Sequence, residues 1–114
     1  KAQAAGIKVL VLSPTVIEEM ASSEGNLRLA RYVAAGKDIA RRNKCLYVDL
    51  HELFMKGIRY RNHQGPDAGP KGFLTTDGVH MKPLGDALMA VGVLRALGVP
   101  DEKIRATDLR GILE

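Results

Sequence analysis

The chain contains two short aliphatic runs that read as strands, and only two. Residues 7–13, Ile-Lys-Val-Leu-Val-Leu-Ser, are nearly continuous in apolar and β-branched side chains and stop at Ser13-Pro14. Residues 45–50, Cys-Leu-Tyr-Val-Asp-Leu, repeat the pattern. Runs without polar alternation suit strands buried on both faces, the condition of a parallel sheet. The segment between them is long enough for the helical crossover that parallel neighbours require. Two parallel strands cannot cover their own faces and edges. The order strand, helix, strand, loop, helix therefore predicts an incomplete α/β unit. On this reading residues 1–114 are the C-terminal portion of one domain, a three-layer α/β/α sandwich. The missing N-terminal strands would come from the other half of that domain or from a second chain.

The rest of the pattern fills in around those strands. In the connection 14–22, Val16 and Ile17 are expected to pack down while Glu18 and Glu19 face water. A helix is predicted from Ser23 to Arg42, capped by Ser22 or Ser23, with Leu27, Ala30, Ala34 and Ile39 marking its apolar face. Gly36 weakens it by about 1 kcal/mol relative to alanine, so tertiary packing has to support it. Arg41, Arg42 and Lys44 fall near its end, where cations complement the helix dipole. After the second strand, Asp49 is expected to cap a short helix from His51 to Lys56, leaving His51 a first-turn residue with no special task. Residues 57–74 lack sustained periodicity and are rich in glycine and proline from Gly65 to Gly72. They predict a long loop, of the kind that often carries function, with His63 solvated in it. A last helix from Pro83 to Leu97 presents Leu84, Leu88, Val91, Leu94 and Leu97 and stops at Gly98, with Pro100 beyond. A further short helix is expected in the tail, starting at Asp101 or Thr107.

Composition removes several function classes. At 114 residues, 46% hydrophobic and 26% charged, the chain reads as a single ordinary globular domain. Its 17 basic residues exceed 13 acidic ones by only four, without the aromatic-interleaved basic stripe of a nucleic-acid reader. No nucleic-acid partner is expected. Cys45 is the only cysteine, which excludes an internal disulfide framework and suits a small core residue. No stretch is long enough to span a bilayer. The opening Lys1-Ala2-Gln3-Ala4-Ala5-Gly6 lacks the hydrophobic region of a signal peptide, and the compartment stays open.

The chemistry concentrates in Thr75-Thr76-Asp77-Gly78-Val79-His80-Met81-Lys82-Pro83-Leu84-Gly85. A carboxylate and an imidazole stand three residues apart, just ahead of an apolar helix. Held by one turn, two such side chains leave the same face about 5–6 Å apart at Cβ. Asp77 can then accept a hydrogen bond from one ring nitrogen of His80 and leave the other free to take a proton. Val79, Met81 and Leu84 read as packing. Two other readings compete with this one. The pair can be a plain loop-to-helix junction, or Asp77, His80, His51 and His63 can be metal ligands, although their spacing matches no compact zinc motif.

Asp77-Gly-Val-His80, followed by the Pro-Gly start of the last helix, resembles the final sequence block of the SGNH hydrolases, the GDSL-type esterases. That block reads Asp-x-x-His, commonly Asp-Gly-x-His, and the strand ending at Ser13-Pro14, the long helix and the Val48-Asp49-Leu50 strand end precede it in the family's order. The resemblance implies a flavodoxin-like α/β/α fold and a Ser-His-Asp hydrolase. It makes His80 the general base and Asp77 its orienter, needing no cofactor and no metal and taking a small ester substrate. The acyl group would be acetyl or another short acyl, with the polar segment 57–74 leaning toward a carbohydrate ester. The close Asp-His spacing differs from α/β-hydrolases, where these residues come from separate loops.

The family's nucleophile block, of Gly-Asp-Ser type, and its two oxyanion-hole blocks are absent from this chain. Ser13 is followed by Pro14 with no Gly-Asp before it, Ser22 and Ser23 suit helix capping, and Asn26 lacks the family's Gly-x-Asn-Asp setting. The chain alone is therefore expected to be inactive and to gain activity with its missing half. The alternative is a non-catalytic α/β module that binds a partner through its unpaired sheet edge.

Overall fold

The computed structural model describes residues 1–64, 69–104 and 109–113. Its sheet has two parallel strands, β1 (Leu10–Leu12) and β2 (Leu46–Val48), with Leu10 opposite Leu46, Val11 opposite Tyr47 and Leu12 opposite Val48. Helix α1 (Glu24–Arg42) makes the crossover between them. Helix α2 (Leu50–Gln64) leaves β2 almost at once, α3 (Pro83–Ala96) follows the Asp77–His80 segment, and a single turn, α4 (Arg110–Leu113), closes the described chain. No described helix is long and apolar enough to cross a membrane.

Alternation along β2 explains the layering. The Tyr47 hydroxyl donates to the Val33 carbonyl of α1 at 3.0 Å. The next residue, Val48, lies against α3, close enough that a methyl placed on Gly92 would sit 3.1 Å from its Cγ1. Successive strand residues point to opposite faces, so α1 and α3 cover opposite sides of the sheet. The architecture is α/β, three layers deep, with a two-stranded centre.

Both strands are shorter than their apolar runs. Pairing begins where the Leu46 amide donates to the Val9 carbonyl and ends where the Ser13 amide donates to Val48. Beyond these points Ile7 is exposed, because no strand lies on the far side of β1 among the described residues. Cys45 is half-buried at the entrance to β2 and does not belong to the core.

The buried face of α1 also differs from expectation. Ser23 caps the helix as the sequence suggested, its Oγ accepting from the Asn26 amide at 3.2 Å. Asn26, Val33 and Ala40 then face inward at two-turn spacing, while Ala30, Ala34 and Ile39 are exposed and Leu27 is 62% exposed. The apolar positions mark one stripe and the sheet covers another. An isolated apolar count misplaced the contact because Asn26, a polar residue, occupies the buried row with its amide fully hydrogen-bonded.

Helix α2 runs past its expected end at Lys56 and continues to Gln64. Leu50, Leu53, Phe54, Gly57 and Ile58 are buried at helical spacing, so the apolar stripe continues through Gly57. Asp49 does cap the helix, with Oδ1 accepting from the Glu52 amide at 2.8 Å. Of the expected loop, residues 69–74 are irregular, and residues 65–68 lie outside the described residues. The last long helix matches its expected span closely, with Leu88 and Val91 buried, Leu84 half-buried, and Leu94 and Leu97 exposed. In the tail a single turn occupies Asp101–Lys103, while a start at Thr107 falls outside the described residues.

The core lies beside the sheet. Val16, Leu53, Phe54, Ile58, Leu74, Leu88, Val91, Leu109 and Ile112 form one cluster among α2, α3, α4 and the segment before Asp77. Val16 packs down as expected, and Ile17 and Glu18 are exposed. Glu19, expected to face water, is fully buried instead. Its carboxylate meets a ring of donors, most of them in the segment that leads into Asp77.

Candidate active site

Residues 74–82 fold back on themselves. Thr75 and Met81 form an antiparallel bridge, the Thr76 amide donates to the His80 carbonyl at 2.8 Å, and the Lys82 amide donates to the Leu74 carbonyl at 2.9 Å. Asp77 sits at the tip of this loop. Its Oδ1 accepts from the amides of Val79 at 2.9 Å and His80 at 2.8 Å, the local side-chain-to-backbone turn that aspartate favours. Gly78 makes the turn possible with φ of 98°. That is a conformation glycine adopts without a Cβ penalty.

The other carboxylate oxygen meets the imidazole. His80 Nδ1 lies 2.7 Å from Asp77 Oδ2. Hydrogen bonds from the His80 amide, the His80 ring and the Val79 amide, in that order, hold the Asp77 carboxyl well below the usual carboxylate range. An ionised carboxylate can only accept, so Nδ1 carries the proton and the lone pair of the neutral ring lies on Nε2. Nε2 has no hydrogen-bond partner among the described residues. The His80 side chain is 81% exposed and that of Asp77 53%. The arrangement is an imidazole held by a carboxylate through Nδ1 on an exposed turn, a geometry that leaves Nε2 able to take a proton.

The other candidate residues are engaged elsewhere. Ser13 is buried, its Oγ donating to the Pro14 carbonyl and accepting from the His51 amide, each at 3.0 Å. Ser23 Oγ donates to the Ile17 carbonyl besides capping α1. Asn26 spends its whole amide on the turn before α1, accepting from the Ile17 amide and donating to the carbonyls of Glu18 and Met20. None of these groups bonds to His80. His51 has a task the sequence did not disclose, since its Nδ1 lies 2.6 Å from the Thr15 carbonyl and ties α2 to the end of β1. His63 is exposed at the end of α2. Among the described residues, no three His, Cys, Asp or Glu side chains converge as a metal site would require.

Beneath the turn lies the group that sequence reasoning missed. Glu19 accepts five hydrogen bonds on its carboxylate, from the amides of Phe73, Leu74 and Thr75, the Thr75 hydroxyl and the Arg61 guanidinium. Arg61 also donates to the Glu19 carbonyl at 2.8 Å and stands 5.6 Å over the Phe73 ring. The paired threonines Thr75-Thr76 ahead of Asp77 were a signal at one end of this contact; nothing in the sequence marked Glu19 at the other.

No protein-family model matches the chain, and no curated protein sequence does either. Solved structures do. The fold is similar to the crystal structure of an acetyl xylan esterase, AlAXEase, with a TM-score of 0.72 and 28% identity over 84% of this chain and 48% of that one. It is also similar to an alpha/beta hydrolase enzyme from the metagenome of Lake Arreo, Spain, with a TM-score of 0.66 and 26% identity over 85% of this chain and 41% of that one. The chain thus has a hydrolase-like α/β fold and spans less than half the length of both solved relatives.

Proposed function

We propose that this chain supplies the histidine base and the orienting aspartate of a serine ester hydrolase of the SGNH type. The observation that carries the reading is the 2.7 Å contact between His80 Nδ1 and Asp77 Oδ2, with Nε2 left open. Nε2 takes the proton of an attacking serine as its oxygen adds to the ester carbonyl, and Asp77 stabilises the imidazolium that forms. The imidazolium then protonates the leaving alcohol, and the same nitrogen activates water to release the acid.

The serine and the oxyanion-hole donors come from outside these residues: the chain lacks a Gly-Asp-Ser block, and Ser13, Ser23 and Asn26 are tied into turns and caps. The source is the N-terminal half of the same domain or a second chain. The far edge of β1 is the place for it to join. Residues 9 and 13 turn their backbone groups toward β2, so alternation turns those of Leu10 and Leu12 away from it. Leu12 is 44% exposed there.

The substrate class is an acetyl or short-acyl ester, with an acetylated carbohydrate favoured by the likeness to an acetyl xylan esterase. The polar segment 57–74 no longer adds to that preference, because 57–64 belongs to α2. Coexpression with a Gly-Asp-Ser-bearing half provides the test. Hydrolysis of 4-nitrophenyl acetate and acetylated xylo-oligosaccharides is expected, falling by about 1,000-fold or more in His80→Ala. Unchanged hydrolysis in that variant overturns the reading. So does a fluorophosphonate probe that labels a serine within these 114 residues.

A further inference from the structure

We propose that Glu19 is a positioning residue for the Asp77–His80 pair, gripping the turn from inside the protein through Thr75. The inference rests on the pair being the catalytic base, and its physical content can be measured without any activity. Glu19 Oε1 accepts from the amides of Leu74 at 2.8 Å and Thr75 at 2.6 Å and from Thr75 Oγ1 at 2.6 Å. Oε2 accepts from the Phe73 amide at 3.1 Å and Arg61 at 2.6 Å. Three successive amides aimed at one point form the kind of concavity that binds an anion, and here a side chain of the same chain fills it.

The grip extends to the turn itself. Because the Thr75 hydroxyl gives its proton to Glu19, its lone pairs are left for the Gly78 amide, which donates to Oγ1 at 3.0 Å. The carbonyl of Gly78 accepts from the Glu18 amide at 2.8 Å. Both polar groups of the residue between Asp77 and Val79 are therefore fixed by Glu18 and, one step removed, by Glu19. Glu18 has φ of 64°, a left-handed conformation that costs a non-glycine residue free energy and persists where surrounding contacts over-determine it. At Glu18 that backbone lets one residue aim its amide at Gly78 while the next turns its carboxylate inward. A carboxylate that only knitted the loop at 70–75 would not need the relay through Thr75 to Gly78.

Thr75→Val tests the relay, since it removes the hydroxyl at nearly constant volume, and Thr75→Ser restores it. In the folded 114-residue chain, amide exchange at Gly78 is expected to speed up about tenfold in Thr75→Val, the loss of one net hydrogen bond. The nitrogen-15 shifts of His80 should move toward an even mixture of tautomers, and Thr75→Ser should recover most of both effects. Glu19→Gln should show the same signature more strongly, and if it does not fold the threonine pair decides. In the enzyme completed by its other half, Thr75→Val should lower kcat about tenfold with KM within about twofold. Native exchange at Gly78 and native His80 shifts in Thr75→Val overturn the proposal. Altered shifts combined with full hydrolysis by His80→Ala would instead overturn the catalytic reading and leave the positioning intact.

Discussion

The side of the molecule built by α2, α3 and α4 encloses its aliphatic residues, whereas the side built by β1 and α1 leaves them in solvent. Phe54, Ile58, Leu74 and Leu88 are fully buried in the first. Leu12, Leu27, Tyr32 and Ile39 are exposed in the second, along with the free backbone edge of β1. The Asp77–His80 turn belongs to the closed side, because Leu74 is in the core and Thr75 is bonded to buried Glu19. The Asp77–His80 pair is thus assembled by the finished part of the chain. What the proposed enzyme lacks, a serine and donors for the oxyanion, would arrive at the unfinished part.

Three measurements would sharpen or break that contrast. The largest effect is expected from truncation in the closed side. Phe54→Ala should cost about 3–5 kcal/mol in urea unfolding, while Leu27→Ala on α1 should stay within about 0.5 kcal/mol. Equal costs would mean that α1 is covered in solution after all. A smaller effect is expected at the open edge. Leu12→Pro removes an amide that points away from β2, so the pairing of β1 with β2 should survive. Binding of the Gly-Asp-Ser-bearing half should weaken at least about tenfold. Affinity equal to the parent chain would place the joining surface elsewhere.

The smallest effect is expected on the closed side as pH falls. The Asp77 carboxyl is depressed, so its contribution is fully present above the ordinary carboxylate value of about 3.9 and is lost only as pH drops through the lower folded value. An NMR titration should therefore find the Asp77–His80 hydrogen bond intact at pH 5 and weakening only below about pH 4. Loss of the bond between pH 5 and 7 would show that the turn does not hold the carboxylate as described.

Several features of this fold were legible because they are local. Ser23, one of the two serines offered as a cap, and Asp49 cap their helices, and α3 runs between Pro83 and the left-handed Gly98 as its end signals require. The helical extent of α2 was not legible, since glycine at 57 reads as a break until Leu74 and Leu88 are known to press against it. Nor was the inward face of α1, where the sheet and not the apolar count selects Asn26, Val33 and Ala40.

At the Asp77–His80 turn the same division appears within a few residues. The sequence by itself determined the pairing of Asp77 with His80, because the contact spans three residues and a single turn with Gly78 at its tip can close it. Only the tertiary structure decided what stands under that turn. Glu19 reaches Phe73, Leu74 and Thr75 across 54 to 56 positions of chain, and its burial depends on three amides that converge only when the loop has folded. A glutamate next to a glutamate reads as a pair of solvated charges. It becomes a structural anion when distant donors replace the water it gives up.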